Sequence, residues 1–204
     1  IGSVVDAASY SAEEILARST TNALRAMTPE LEDAMRCEIL SAKADGDSVG
    51  GVIRCVACGL PAGLGEPFFD TLDGEIAKAV FAVPGVKGIE FGAGFAASAM
   101  RGSENNDSYR MADGAVRTET NNAGGILGGM ANGAELSFAV AFKPTPSIAK
   151  AQDSVDLFAG TDAELAVRGR HDPCIAPRGA VVVEAMTIFV IADLLIRGGF
   201  ACRN

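Results

Sequence analysis

The chain has 204 residues, 49% of them hydrophobic, enough to bury one sizeable core, so a single domain over 1-204 is the simplest expectation, with two small lobes as the alternative. Its formal charge of -9 argues against a nucleic-acid partner, because a phosphate polymer is gripped by clustered Lys and Arg and no such cluster occurs. Five cysteines, Cys37, Cys55, Cys58, Cys174 and Cys202, make an odd set with no regular framework, which speaks against a disulfide scaffold and for a reducing compartment, the cytoplasm by default.

In chain order, Ser11-Ala12-Glu13-Glu14 is a capping-box pattern that predicts a helix from Ala12 to about Ala26. Thr28 as N-cap with Pro29 behind it opens a second helix, with Leu31, Ala34, Met35, Ile39 and Ala42 at helical spacing until Asp45-Gly46. Gly50 to Gly59 reads as a strand, Phe69 to Val83 as a helix ending before Pro84, and Val86 to Phe91 as another strand. The polar stretch from Gly102 to Thr120 reads as a mobile loop of the kind that closes over ligands. Gly125 to Met130 and Ala134 to Phe142, separated by the turn signal Ala131-Asn132-Gly133, predict a hairpin. A short helix is expected around Asp162 to Val167. The long apolar run Ala180 to Ile196, interrupted by Glu184 and Asp193, reads as a core helix that falls short of a membrane span, so no membrane partner is expected. Helices mixed with hairpins in this order give an α+β class.

Several short motifs bear on chemistry. Cys55-Val56-Ala57-Cys58 has the spacing of a metal or redox pair, but no second pair or nearby His completes a site. On a strand the two thiols face opposite ways, so they read as structural and no metal is expected. Gly92-Ala93-Gly94-Phe95-Ala96-Ala97 follows a strand as a dinucleotide fingerprint would, yet Arg101 to Asp107 do not continue it as an apolar helix, so a nicotinamide site is not expected. Arg170-His171-Asp172-Pro173-Cys174 sets a permanent cation, the only histidine and a carboxylate side by side. Alone, that run fits an exposed polar turn as well as a reaction centre. Its company favours the second: Thr120-Asn121-Asn122-Ala123-Gly124-Gly125-Ile126-Leu127-Gly128-Gly129 offers close-approach backbone, and Phe142-Lys143-Pro144-Thr145-Pro146-Ser147-Ile148 adds a second cation and two hydroxyls.

These segments, with Gly46-Asp47-Ser48-Val49-Gly50-Gly51, Gly59 to Pro67 and Gly102-Ser103-Glu104-Asn105-Asn106-Asp107, resemble chorismate synthase in order from about Gly2 to about Gly198. The family's opening segment, which carries catalytic histidines and several arginines, has no counterpart, so the chain is expected to be the back portion of such an enzyme. The resemblance implies helices sandwiched between antiparallel β-sheets and a homotetramer. It also implies a lyase of the shikimate pathway, in aromatic amino-acid biosynthesis, that removes phosphate and a ring hydrogen, anti and 1,4, from 5-enolpyruvylshikimate 3-phosphate to give chorismate with reduced FMN. A non-catalytic flavin-binding or assembly fragment, and a flavin reductase using a nicotinamide cofactor, are the competing expectations.

Residue by residue, the resemblance assigns Arg170 to substrate and flavin binding and Asp172 to proton handling near the flavin, with His171 either binding ligand or fixing the turn. Lys143, Pro144, Thr145, Pro146 and Ser147 match the flavin loop, where Pro146 stands in place of the usual small hydroxyl residue. Pro84, Gly85 and Gly128 match further flavin contacts made largely through backbone. A guanidinium, an ammonium and an acid are thus expected around one hollow, with Arg170 favouring the ionised form of Asp172.

Overall fold

The computed structural model describes residues 1–112 and 114–200, so Cys202, and Asp113 within the polar stretch, lie outside the described residues. The chain divides into two compact units, one of Ile1–Val52 with Phe142–Arg178, the other of Ile53–Ala141 with Gly179–Asn204.

The first unit begins with α1 (Ala12–Arg18), opened by the expected capping box, in which Ser11 and Glu14 bond each other's backbone. The helix ends well before Ala26. Asn22 supplies the reason: its Oδ1 accepts from the backbone N–H of Leu24 and Ala26, and Arg25 turns to a φ of 55°, a side-chain-backed loop that outcompetes helix. Helix α2 (Pro29–Ala44) follows with Thr28 accepting from the Leu31 N–H and Gly46 leaving at a φ of 68°. Near the other end of this unit, the expected short helix at Asp162 to Val167 is instead the second half of an antiparallel hairpin. It is formed here by the strands Gln152–Asp156 and Thr161–Leu165, paired Gln152 to Leu165 through Asp156 to Thr161. Asp156 forces the reversal, its Oδ1 accepting from the N–H of Phe158 and Ala159.

The second unit holds nearly all of a three-stranded sheet, with β1 (Gly51–Ala57) and β2 (Val86–Phe91) flanking a central strand, Leu136–Phe142. That central strand alternates buried and half-buried residues along its length, placing Leu136, Phe138 and Val140 in the core. Helix α3 (Leu72–Phe81), capped by Thr71, adds Leu72, Ile76 and Val80, all fully buried. Each such side chain contributes roughly 1.5–3 kcal/mol through removal from water. A 3-10 turn (Gly94–Ala99) and the single turn α4 (Gly102–Asn105) come next. The polar stretch then departs from the expected loop: β3 (Tyr109–Ala112) and β4 (Ala115–Thr118) pair antiparallel, an exposed ribbon with little apolar signal because it buries little. The glycine-rich hairpin also turns elsewhere than expected. Its strands are β5 (Ile126–Leu127) and β6 (Met130–Ala131), and the turn is Gly128-Gly129, at φ 60° and 83°, since only residues that tolerate the left-handed region close a two-residue loop cheaply. The central strand Leu136–Phe142 is therefore β7, and the exposed hairpin of the first unit is β8 and β9.

The last helix, α5 (Ala176–Arg197), buries Val183, Thr187, Val190 and Leu194 at helical spacing, while Val181, Ile188 and Phe189 are exposed. At 22 residues and a mean hydropathy of 2.2 over its most apolar window, it is long and apolar enough to cross a membrane, and 28% of that window is buried. Glu184 and Asp193 thus do not bring it below a span's length, contrary to the expectation from sequence, and it buries one stripe rather than its whole circumference.

Candidate functional site

Within the first unit, the extended segment from Gly46 to Gly51 holds two of the predicted loops. On one side Ser48 Oγ donates to the Thr145 carbonyl at 2.7 Å, and the N–H groups of Ala149 and Lys150 donate to the Gly46 carbonyl at 2.9 and 3.2 Å. On the other, Val49 N–H donates to the Pro173 carbonyl at 2.8 Å. Gly50 packs against the first of these loops: a Cβ there would lie 2.5 Å from the Phe142 carbonyl oxygen and 3.2 Å from Pro144, so no larger residue fits. Asp47 and Lys150 form an ion pair at 2.9 Å, whose hydrogen bond holds the Asp47 carboxyl below the usual carboxylate range and raises the Lys150 ammonium.

On the first of these loops Lys143, Pro144 and Pro146 are exposed, Thr145 and Ser147 half-buried. Lys143 makes no ion pair among the described residues. Thr145 Oγ1 is shut off from solvent with no hydrogen-bond partner. On the second loop, His171 Nε2 is in the same condition, and Arg170 is exposed and unpaired among the described residues.

Asp172 departs from expectation in one respect. The cation that reaches it is Arg178, in the first turn of α5, and not Arg170. The physical reason is that the chain reverses at Pro173-Cys174, with Cys174 N–H donating to Asp172 Oδ1 at 3.3 Å, which carries the carboxylate toward the helix that follows. Its Oδ2 has no directed hydrogen bond and meets the Arg178 guanidinium as an ionic contact. The adjacent Cys174 thiol is buried, and that burial pushes its pKa up.

Pro84, Gly85 and Gly128 lie in the second unit. Pro84 and Gly85 form the turn between α3 and β2, with Gly85 at a φ of 94°, and Val86 N–H closes it on the Val83 carbonyl. Nothing lies within 4 Å of where a Gly128 Cβ would stand, so that backbone is open to approach. The neighbouring Asn121-Asn122-Ala123 backbone is held by Asp107, whose carboxylate accepts from Thr120 Oγ1 at 2.6 Å and from the N–H groups of Asn122 and Ala123 at 2.7 and 2.9 Å. Burial by itself would raise this carboxyl; the three donors outweigh it and hold it below the ordinary value. Gly92 packs against the same turn so tightly that a Cβ would fall 2.1 Å from the Asn122 carbonyl oxygen.

Two cavities, of about 310 and 470 Å³, lie away from the predicted residues. One sits beside β4 among Arg117, Thr120, Asn121, Asn132 and Glu135, the other among Arg18, Asn22, Met27 and Thr28. The expected hollow shared by Lys143 and Arg170 is neither of these. Sequence reasoning assigned no role to Ser48, Asp107 or Arg178. Ser48 and Asp107 stood inside quoted motifs, which was a usable signal; Arg178 stood outside them.

Comparison with known proteins places these loops in context. The chorismate synthase family profile matches residues 1–196. A chorismate synthase of Methanosarcina mazei is 50% identical over 196 residues, covering 96% of this chain and 54% of that protein. One from Dehalococcoides mccartyi is 56% identical over 165 residues, covering 81% of this chain and 45% of that protein. A crystal structure of chorismate synthase superposes with a TM-score of 0.75 at 30% identity, over 92% of this chain and 50% of that one. The chain thus spans about half the length of the relatives it matches. Its α+β fold with antiparallel hairpins agrees with that structure, and the chain belongs to the chorismate synthase family.

Proposed function

We propose that this chain carries the flavin-facing part of a chorismate synthase site. In this reading the complete protein, a cytoplasmic homotetramer, eliminates phosphate, anti and 1,4, from 5-enolpyruvylshikimate 3-phosphate to give chorismate with reduced FMN as cofactor. Chain 1-204 is then one functional domain of that enzyme. The observation that supports this is the pair of polar atoms, Thr145 Oγ1 and His171 Nε2, closed off without partners on two loops that one extended segment holds. Buried polar groups are rarely left unmatched, and a ligand lined with oxygens supplies what both lack. Lys143 and Arg170, neither paired internally among the described residues, suit its anionic groups. The residues therefore fit a flavin phosphate.

Reduced flavin, when bound, supplies the electron density that phosphate departure needs and that no side chain can offer. The chain's own residues bind and orient. The Arg170 fork holds a carboxylate or phosphate in one orientation, and the Lys143 ammonium neutralises a phosphate as a point charge. Thr145 and Ser147 hydroxyls bond ligand oxygens, one fewer than the family's pattern because Pro146 has none. Asp172 accepts or returns a proton at its carboxylate, and Pro84, Gly85 and Gly128 present backbone.

Reduced-FMN titration tests this. Lys143→Ala should weaken flavin binding by about tenfold or more, equivalent to about 1.4 kcal/mol. Asp172→Asn should bind flavin as the unaltered protein does and slow turnover in the complete enzyme. Equal loss of affinity in both overturns the assignment. The competing reading is a non-catalytic flavin-binding or assembly fragment. Turnover that appears only when a relative's front half is joined to this chain supports it.

A further inference from the structure

Arg178 stands third in α5, in a first turn that contains no acidic residue. A cation at a helix N-terminus opposes the helix dipole, so the helix gains nothing from it there. Its side chain is 79% exposed, and its guanidinium reaches back to Asp172, whose side chain is only 22% exposed. The two oxygens of Asp172 are then held from two directions: Oδ1 by the Cys174 N–H at 3.3 Å, Oδ2 by Arg178. The turn itself is secured independently by Val49 N–H on the Pro173 carbonyl at 2.8 Å. Fixing both oxygens of a carboxylate fixes its rotamer, and it leaves Arg170, two residues earlier, uncommitted.

We propose that Arg178 is the positioning residue for Asp172: it holds the carboxylate against the first turn of α5 so that Arg170 remains free for an anionic ligand. The assignment rests on the reading of Asp172 as a proton-handling group.

Amide hydrogen exchange on the 204-residue chain tests the positioning without any cofactor. In Arg178→Gln, the Cys174 amide should exchange about tenfold faster or more, because the carboxylate that accepts from it is released. The Val49 amide should keep its protection, which separates release of the side chain from loss of the turn. Arg178→Lys should restore most of the Cys174 protection. In the complete enzyme, Arg178→Gln should lower kcat with flavin affinity within about twofold of the original. The Asp172→Asn, Arg178→Gln pair should be no slower than Asp172→Asn alone. An unchanged Cys174 amide, equal loss at Val49 or an additive double variant overturns the proposal. Failure of the unaltered protein to bind flavin with the Cys174 response intact overturns instead the function assigned to the site.

Discussion

Asp107 and Arg170 both stand in loops that carry the family's signature residues, yet the charge of one is consumed within the protein and that of the other is not. Asp107 accepts three hydrogen bonds and thereby fixes the backbone from Thr120 to Ala123. Arg170 and Lys143 have no internal ion pair among the described residues, and beside them Thr145 Oγ1 and His171 Nε2 lack partners. Amide atoms of Asn105, Asn121 and Asn132 in the second unit are also unmatched, so what sets the Arg170 loop apart is the open cations beside such atoms. A loop whose charge is spent internally is arranged to hold its own shape. One whose cations stand open is arranged to hold something else, at some cost to stability in the ligand-free protein.

On that contrast, the most severe lesions belong to the first kind of loop. Gly92→Ala combines a φ of 56° with a Cβ 2.1 Å from the Asn122 carbonyl oxygen and 2.4 Å from the Gly124 nitrogen. Neither neighbour is a flexible side chain, so at least about 3 kcal/mol of stability should be lost in denaturant unfolding. Asp107→Asn comes next, at about 2 kcal/mol near neutral pH, because the charged acceptor of two backbone N–H groups is replaced. The sign of its pH dependence follows from a folded-state pKa below the ordinary one. The stabilisation is complete above the unfolded carboxyl's pKa and vanishes as pH falls through the lower folded value, so the two proteins should converge in acid. Gly128→Ala, at φ 60° in open space, should cost about 1 kcal/mol. A Gly128→Ala loss as large as that of Gly92→Ala would break the distinction between a packed turn and an open one.

The sequence disclosed most where burial or a local cap writes a pattern. Ser11 with Glu14 and Thr28 with Pro29 were legible because each cap depends on residues close in the chain, and the strand Val86–Phe91 because the turn at Pro84-Gly85 marks its start. The ribbons Tyr109–Thr118 and Gln152–Leu165 were not, since strands exposed along nearly their whole length carry no apolar alternation. Apolar spacing likewise overran the end of α1, where the side-chain bonds of Asn22 decide the matter. At the candidate site, Arg170 to Asp172 and Lys143 to Ser147 stood out as motifs. Arg178 did not, because it meets Asp172 across a chain reversal and not at helical spacing. The anchoring role of Asp107 was hidden because its partners lie 13 to 16 residues onward.

The smallest expected change in stability sits at the open cations. Arg170→Gln and Lys143→Ala remove charges that nothing internal pairs among the described residues, so unfolding free energy should stay within about 0.5 kcal/mol of the original. Ligand linkage then separates them from a merely solvated surface. Reduced FMN at ten times its dissociation constant should stabilise the original protein by about 1.4 kcal/mol. At that same concentration a variant binding tenfold more weakly should gain about 0.4 kcal/mol. Asp107→Asn should keep nearly the full increment despite its lower baseline, because its charge serves the fold and not the ligand. A loss of the FMN increment in Asp107→Asn, with Arg170→Gln retaining it, would invert the comparison and assign the ligand's anionic groups to the loop that Asp107 holds.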